Sequence, residues 1–201
     1  MTRHILYVAI FAALALPASL GCGANLPDYD YSQEPDPRTR EFVLGISDGI
    51  RIHVWDNPEM STEASVRPDG TVTMPLVGDF TAAGRTPSEL REQIRERLAD
   101  YVKDSKITVA VTSVNSYRFT ISGEVAQPGI HSADQYVTVA EAIAMAGGFT
   151  RFASKSGIVL QRRDAETSEI RKIPISYRAI ASGEHPEMNL VLLAGDSLHI
   201  P

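Results

Sequence analysis

Few side chains in this chain have the type and spacing that chemistry needs, and each has a plain structural alternative. Cys22 is the only cysteine among 201 residues. It cannot close an internal disulfide, but a thiol placed just past an apolar leader can be acylated. The five histidines, His4, His53, His131, His185 and His199, show none of the short spacings by which paired imidazoles hold a metal. Asp56 and Glu59, in WDNPEM, are neighbouring carboxylates of the kind that cleaves glycosidic bonds by acid–base catalysis. They share a proline-containing loop, where turn formation and solvation account for them. Trp55 could stack on the C–H face of a sugar ring, although packing is the commoner fate of so large a side chain. No G-x-S-x-G elbow, phosphate-cradling glycine loop or dinucleotide fingerprint is present. Gly147-Gly148 follows a predicted helix instead of opening one, so it caps that helix. These readings assign no catalytic residue, no metal and no cofactor, and they argue against an enzyme.

The first residues decide location. Arg3 and His4 precede an apolar run from Ile5 to Leu16, about a dozen residues, which suits a signal peptide and falls short of the roughly 20 that a membrane-spanning helix needs. Ala18, Ser19 and Gly21 then lead into Cys22. The stretch resembles a bacterial lipoprotein signal over residues 1–21, with Cys22 as the acylated residue. Ser19 and Leu20 stand where such signals usually carry leucine and a small residue. An ordinary secretory signal with Cys22 as a bystander is the alternative. The unpaired thiol favours lipidation, and several acyl chains on one residue make a stable anchor. Gly23 after the cysteine looks like sorting to the outer membrane.

The formal net charge is −6; loss of the leader takes Arg3 and no acidic residue, leaving the mature chain more acidic by one. There is no basic stripe for nucleic acid, and an acidic surface does not adhere to anionic lipid. Residues 22–40 read as a flexible tether, because LPDYDYSQEPDPRTR lacks periodicity and is rich in Pro and Asp. From Leu26 to Arg40 it could extend ~50 Å at ~3.3 Å per residue.

The remainder reads as α+β, in two compact units. GIRIHVW alternates, with Ile50, Ile52 and Val54 on one face and Arg51, His53 and Trp55 on the other, so it is a half-buried strand. Pro68-Asp69-Gly70 sits between two extended runs and predicts a hairpin. Thr86-Pro87-Ser88-Glu89 combines a capping box with proline in the first turn. Behind it Leu90, Ile94, Leu98 and Tyr101 form an apolar stripe. Glu89, Arg91, Glu92, Arg95, Glu96 and Arg97 are either a solvated face with i,i+4 pairs worth ~0.3 kcal/mol each or a subunit seam. The strand ITVAVTSV closes a first unit over 41–114.

The second unit, 115–201, opens with the strand YRFTISGEV and a turn at Gln127-Pro128-Gly129. Thr138–Glu141 caps a short helix through Ala146. GIVLQRR and EIRKIPI pair as strands, with Pro174 arguing for an edge position. A last short strand follows Ala194-Gly195-Asp196. Asp48 and Asp196 each stand in a turn before a strand, where a carboxylate can accept local backbone N–H groups.

In arrangement, residues 45–111 resemble the polysaccharide export domain of bacterial capsule and exopolysaccharide secretion proteins. The likeness rests on Asp48, Val54-Trp55, Arg67–Thr71, Pro75–Gly78, and Gly84, Thr86, Glu89 and Leu90; Ser47 departs from the glycine usual before the aspartate. Residues 117–201, with GEVAQPGIH, TVAEAIAMAGGFT and LLAGDSLHIP, resemble the soluble-ligand-binding β-grasp (SLBB) domain that follows in that family. The resemblance implies a homo-oligomeric ring that passively guides nascent polysaccharide, tethered by lipid to the outer membrane and facing the periplasm. It implies an inner-membrane polysaccharide co-polymerase as partner. Many members continue into a C-terminal amphipathic helix that builds the pore. This sequence ends at Pro201, so a separate outer-membrane β-barrel is the expected pore partner. The alternative is a periplasmic glycan-binding or sensing module with no conduit role.

Overall fold

The computed structural model describes residues 29–102, 105–164 and 167–201. In the first unit, β1 (Gly49–Val54) pairs antiparallel with β2 (Thr62–Ser65) on one side and β5 (Ile107–Ser113) on the other. Alternation decides its faces: Ile50, Ile52 and Val54 are fully buried. The packing partner is α1 (Pro87–Leu98), whose Thr86 hydroxyl accepts the Glu89 amide while the Glu89 carboxylate accepts the Thr86 amide. Leu90, Ile94 and Leu98 are completely buried. Tyr101 does not extend that stripe. The helix ends at Leu98, the chain turns with the Tyr101 amide on the Leu98 carbonyl, and the ring is 60% exposed.

The turn at Pro68-Asp69-Gly70 forms, with Gly70 at φ 80°, but the hairpin expected around it does not. The run before the turn is β2, in the sheet of β1. The run after it is β3 (Thr71–Met74), which pairs instead with β4 (Gly78–Thr81). The Arg67 guanidinium holds this corner together by reaching Thr71, Thr73 and Asp79.

In the second unit the strands are β6 (Arg118–Gly123), β7 (Gly129–Ser132), β8 (Ile158–Arg163), β9 (Ile170–Ile175) and β10 (Ser197–Ile200), in the order β7-β6-β10-β8-β9. The last strand thus lies at the centre, parallel to β6. Pro174 stands on the edge strand β9, as its missing donor requires. Gly123 has φ 89°, and a Cβ there would lie 1.9 Å from the Ile200 carbonyl oxygen, so only glycine lets β10 approach. The helices α2 (Val139–Met145) and α3 (Tyr177–Ser182) complete the unit. Gly147 and Gly148, both at positive φ, end α2.

Residues 29–40 correct the tether reading over their described part. Asp30 and Asp36 cap 3-10 turns at Tyr31–Gln33 and Pro37–Thr39. Tyr31 is buried in the core of the second unit and donates to the Pro174 carbonyl at 2.6 Å. Glu34 inserts beside Arg162, the largest fully buried side chain in the fold. Arg162 donates to Asp196 (Nη2–Oδ2 2.6 Å), Glu34 (Nη1–Oε2 2.8 Å) and the Val191 carbonyl (2.9 Å). Arg171 reaches the other Glu34 oxygen at 2.9 Å. Burial opposes the charge on Arg162, yet the bonds from Asp196 and Glu34 outweigh it and hold the guanidinium above its ordinary pKa. Burial and a bond to Glu34 push the Tyr29 hydroxyl up to about 12.

Asp48 ties the two units together. Its fully buried carboxylate accepts the amides of Gly45 (2.8 Å), Asn115 and Ser116 (both 2.7 Å) and the Ser116 hydroxyl (2.8 Å). The first bond is the local one expected of an aspartate turn; the other three reach the connection between the units. Asp196 matches the local half, accepting the Leu193 amide at 2.7 Å.

Three stability outcomes follow from these contacts. Glu34→Ala leaves Arg162 one carboxylate short and is expected to lower unfolding free energy by about 3 kcal/mol, read by urea titration, and to expose the 29–34 segment to protease. Asp48→Ala orphans three amides and is expected to cost about 3 kcal/mol in the same assay. Asp69 is held below the usual carboxylate range by Thr71 and then Arg67, Asp79 by Thr73 and then Arg67, and Glu141 by Thr138. Folded values below the unfolded ones stabilise above pH ~4, so the melting temperature should hold at neutral pH and drop as pH falls below ~4.

Candidate functional site

A groove of about 650 Å³ lies between the two units, beside the Asp48 clamp. Phe42, Val43, Ile46, Tyr117, Tyr136 and Ala194 are among its walls. Val43 and Ile46 stay half-exposed, and the Phe42 and Tyr136 rings sit 6.4 Å apart across the join. Arg118 is the one charged residue lining it, and its Nε is committed to the Asn115 carbonyl at 3.0 Å. Its walls are mainly apolar, a shape that suits docking.

A second surface lies on the outer side of β1. Because Ile50, Ile52 and Val54 take the core face, Arg51, His53 and Trp55 must point away from it. Trp55 is 60% exposed, which corrects the packing expected for it. It is the residue after the last core-facing position, and Asp56, at φ 58°, turns the chain away before anything covers the ring. His53 meets the indole edge-on, at 6.4 Å between centroids and 89° between planes. Arg51 pairs across the strands with Glu63 at 3.0 Å, both ends exposed. Beside them is a shallow depression of about 220 Å³ lined by Arg51, His53, Ser61 and Glu63.

The remaining sequence candidates are placed apart. His131 stacks on Phe119, His199 meets the Ser122 hydroxyl at 3.0 Å, and His185 contacts Glu187 at 2.8 Å. Among the described residues no group of three or more His, Cys, Asp and Glu side chains could hold a metal ion. Asp56 serves the turn after β1 and Glu59 lies in the 3-10 turn Pro58–Met60, both exposed. The charges on α1 pair locally, Arg95 and Arg91 with Glu92, and Arg97 reaches the Asp79 carbonyl. No helix among the described residues is long and apolar enough to cross a membrane. The leader and Cys22 lie outside the described residues.

What sequence reasoning missed is the pairing of Glu34 with Arg162, separated by 128 positions. No local pattern records that pairing. The available signal was an Arg at an inward-facing position of the alternating strand Ile158–Arg163.

Residues 36–112 match the family described as polysaccharide biosynthesis/export protein, and residues 118–173 match the SLBB domain. Among curated proteins, the EPS I polysaccharide export outer membrane protein EpsA of Ralstonia solanacearum is 32% identical over 131 residues, 53% of this chain and 35% of that protein. The exopolysaccharide production protein ExoF of Rhizobium meliloti (strain 1021) is 31% identical over 156 residues, 72% of this chain and 35% of that one. The capsule polysaccharide export outer membrane protein CtrA of Neisseria meningitidis serogroup A is 22% identical over 187 residues, 83% of this chain and 46% of that one. The chain therefore spans less than half the length of each of these relatives. The strand-and-helix first unit thus matches the polysaccharide biosynthesis/export domain and most of the second unit matches the SLBB domain, so the chain carries these two domains in succession.

Proposed function

We propose that this chain is a non-catalytic subunit of an apparatus that exports capsule or exopolysaccharide across the outer envelope. The observation that carries the reading is the succession of export domain and SLBB domain, supported by alignment of 72% and 83% of the chain with relatives named for exopolysaccharide production and capsule export. In this reading Cys22 is acylated, the protein faces the periplasm from the outer membrane, and several copies close into a ring. An inner-membrane co-polymerase feeds the polymer and a separate β-barrel passes it outward. The Asp48 clamp supports the mechanical part of the role, since buried charge-assisted bonds restrain the two units from swinging apart while polymer passes.

The test is to delete the gene and locate the polymer. Export predicts polymer trapped inside the envelope with synthesis intact, and recovery on re-expression. Normal surface polymer, or a change in synthesis with none trapped, would overturn the proposal and favour the glycan-sensing alternative. Cys22→Ser should move the protein from the membrane fraction to the soluble one.

A further inference from the structure

A tryptophan ring 60% exposed to water forgoes much of the free energy that its burial would contribute. The backbone that carries the ring is nonetheless fixed. The Trp55 amide donates to the Lys106 carbonyl at 2.9 Å, its carbonyl accepts from Asn57 Nδ2 at 3.0 Å, and His53 braces its edge. The strand it directly follows is the central one of three, bonded to both neighbours. An exposed ring on a fixed backbone meets the condition of a preformed binding platform.

We infer that the outer face of β1, from Arg51 through His53 to Trp55, is a docking strip for a pyranose chain. The inference rests on the export reading for the presence of such a chain in the protein's surroundings. Each ring of a pyranose polymer has a C–H face and a rim of hydroxyls. The indole takes the C–H face. The adjoining depression supplies the rim with a guanidinium fork (Arg51), a carboxylate (Glu63), a hydroxyl (Ser61) and an imidazole (His53). Residues 51 and 55 are four apart along the strand and the paired residue that follows it, so the strip runs about 13 Å, the scale of a few linked sugars and not of one.

Composition favours sugar over protein as the occupant. A stable protein interface buries about 800 Å² per partner around an apolar centre. Along β1, β2 and β5 the only large apolar side chain left exposed is Trp55. Arg51 and Glu63 cancel in charge, so the strip does not select an anionic polymer, and its grip should change little with salt. A single stacked ring with a few exchangeable hydrogen bonds binds weakly, with a dissociation constant on the order of 1 mM. A surface past which a polymer must slide requires that weakness.

Trp55 is the sole tryptophan of the chain, so its fluorescence reports this strip and nothing else. Purified protein is titrated with cellohexaose, a neutral chain, and with a galacturonic acid hexamer, an acidic one. Saturable, salt-insensitive shifts of emission with both probes are expected. By calorimetry Trp55→Ala should weaken binding about tenfold with an unchanged melting temperature, and Trp55→Phe should recover part of it. No response to either probe up to its solubility limit overturns the strip. So does an emission that changes with protein concentration alone, because a second copy then covers the face. In cells, Trp55→Ala is expected to slow polymer outflow. If outflow is unchanged while gene deletion traps polymer, the strip fails and export stands. If deletion traps none while the probes still bind, export fails and the strip stands.

Discussion

A guanidinium taken out of water must be matched almost completely, and that requirement organises the second unit. Arg162 sits on β8 with its charge in the core, where an unpaired cation would cost several kcal/mol. Its partners come from three distant places: Asp196 in the turn before β10, the Val191 carbonyl just upstream, and Glu34 from the N-terminal segment. Satisfying one side chain therefore joins the last strand and the first described segment to the middle of the sheet. A carbon side chain of the same volume would fill the space without dictating which elements arrive.

Asp48 solves a related problem differently. It has no cation. Three amides and a hydroxyl share its charge, and three of those four donors belong to Asn115 and Ser116, where the chain passes from one unit to the other. Gly45 lies so close to Ser116 that a Cβ there would come within 2.3 Å of the serine Cβ. The clamp and this approach set the spacing of the units, and with it the apolar groove above them. Such a joint keeps the surfaces of the two units in their relative positions without a large apolar interface.

The proposed export role and the proposed strip beside β1 meet in one physical demand. A conduit has to hold its cargo loosely everywhere. Apolar grooves hold protein segments; polar strips with a single fixed aromatic hold sugars in passing. Placing the aromatic directly after the central strand, with its amide bonded to the Lys106 carbonyl, fixes its backbone while leaving its face open.

Local order was legible in the chain itself. Alternation in GIRIHVW gives the buried face of β1, the capping boxes at Thr86 and Thr138 start both longer helices, Gly147-Gly148 stops the second, and Pro174 marks an edge. Each of these depends on neighbours within a few positions, through side-chain period or backbone restriction. Tertiary structure alone decided the rest. It assigned β2 and β3 to different sheets, set the final strand at the centre, drew Tyr31 and Glu34 into the core that an irregular composition had suggested they avoid, and left Trp55 uncovered. Those outcomes turn on pairings across tens to a hundred or more positions, where a buried charge finds its counter-ion or a ring finds no neighbour. No periodicity in the chain records such meetings, because their free energy exists only once the distant partner has arrived.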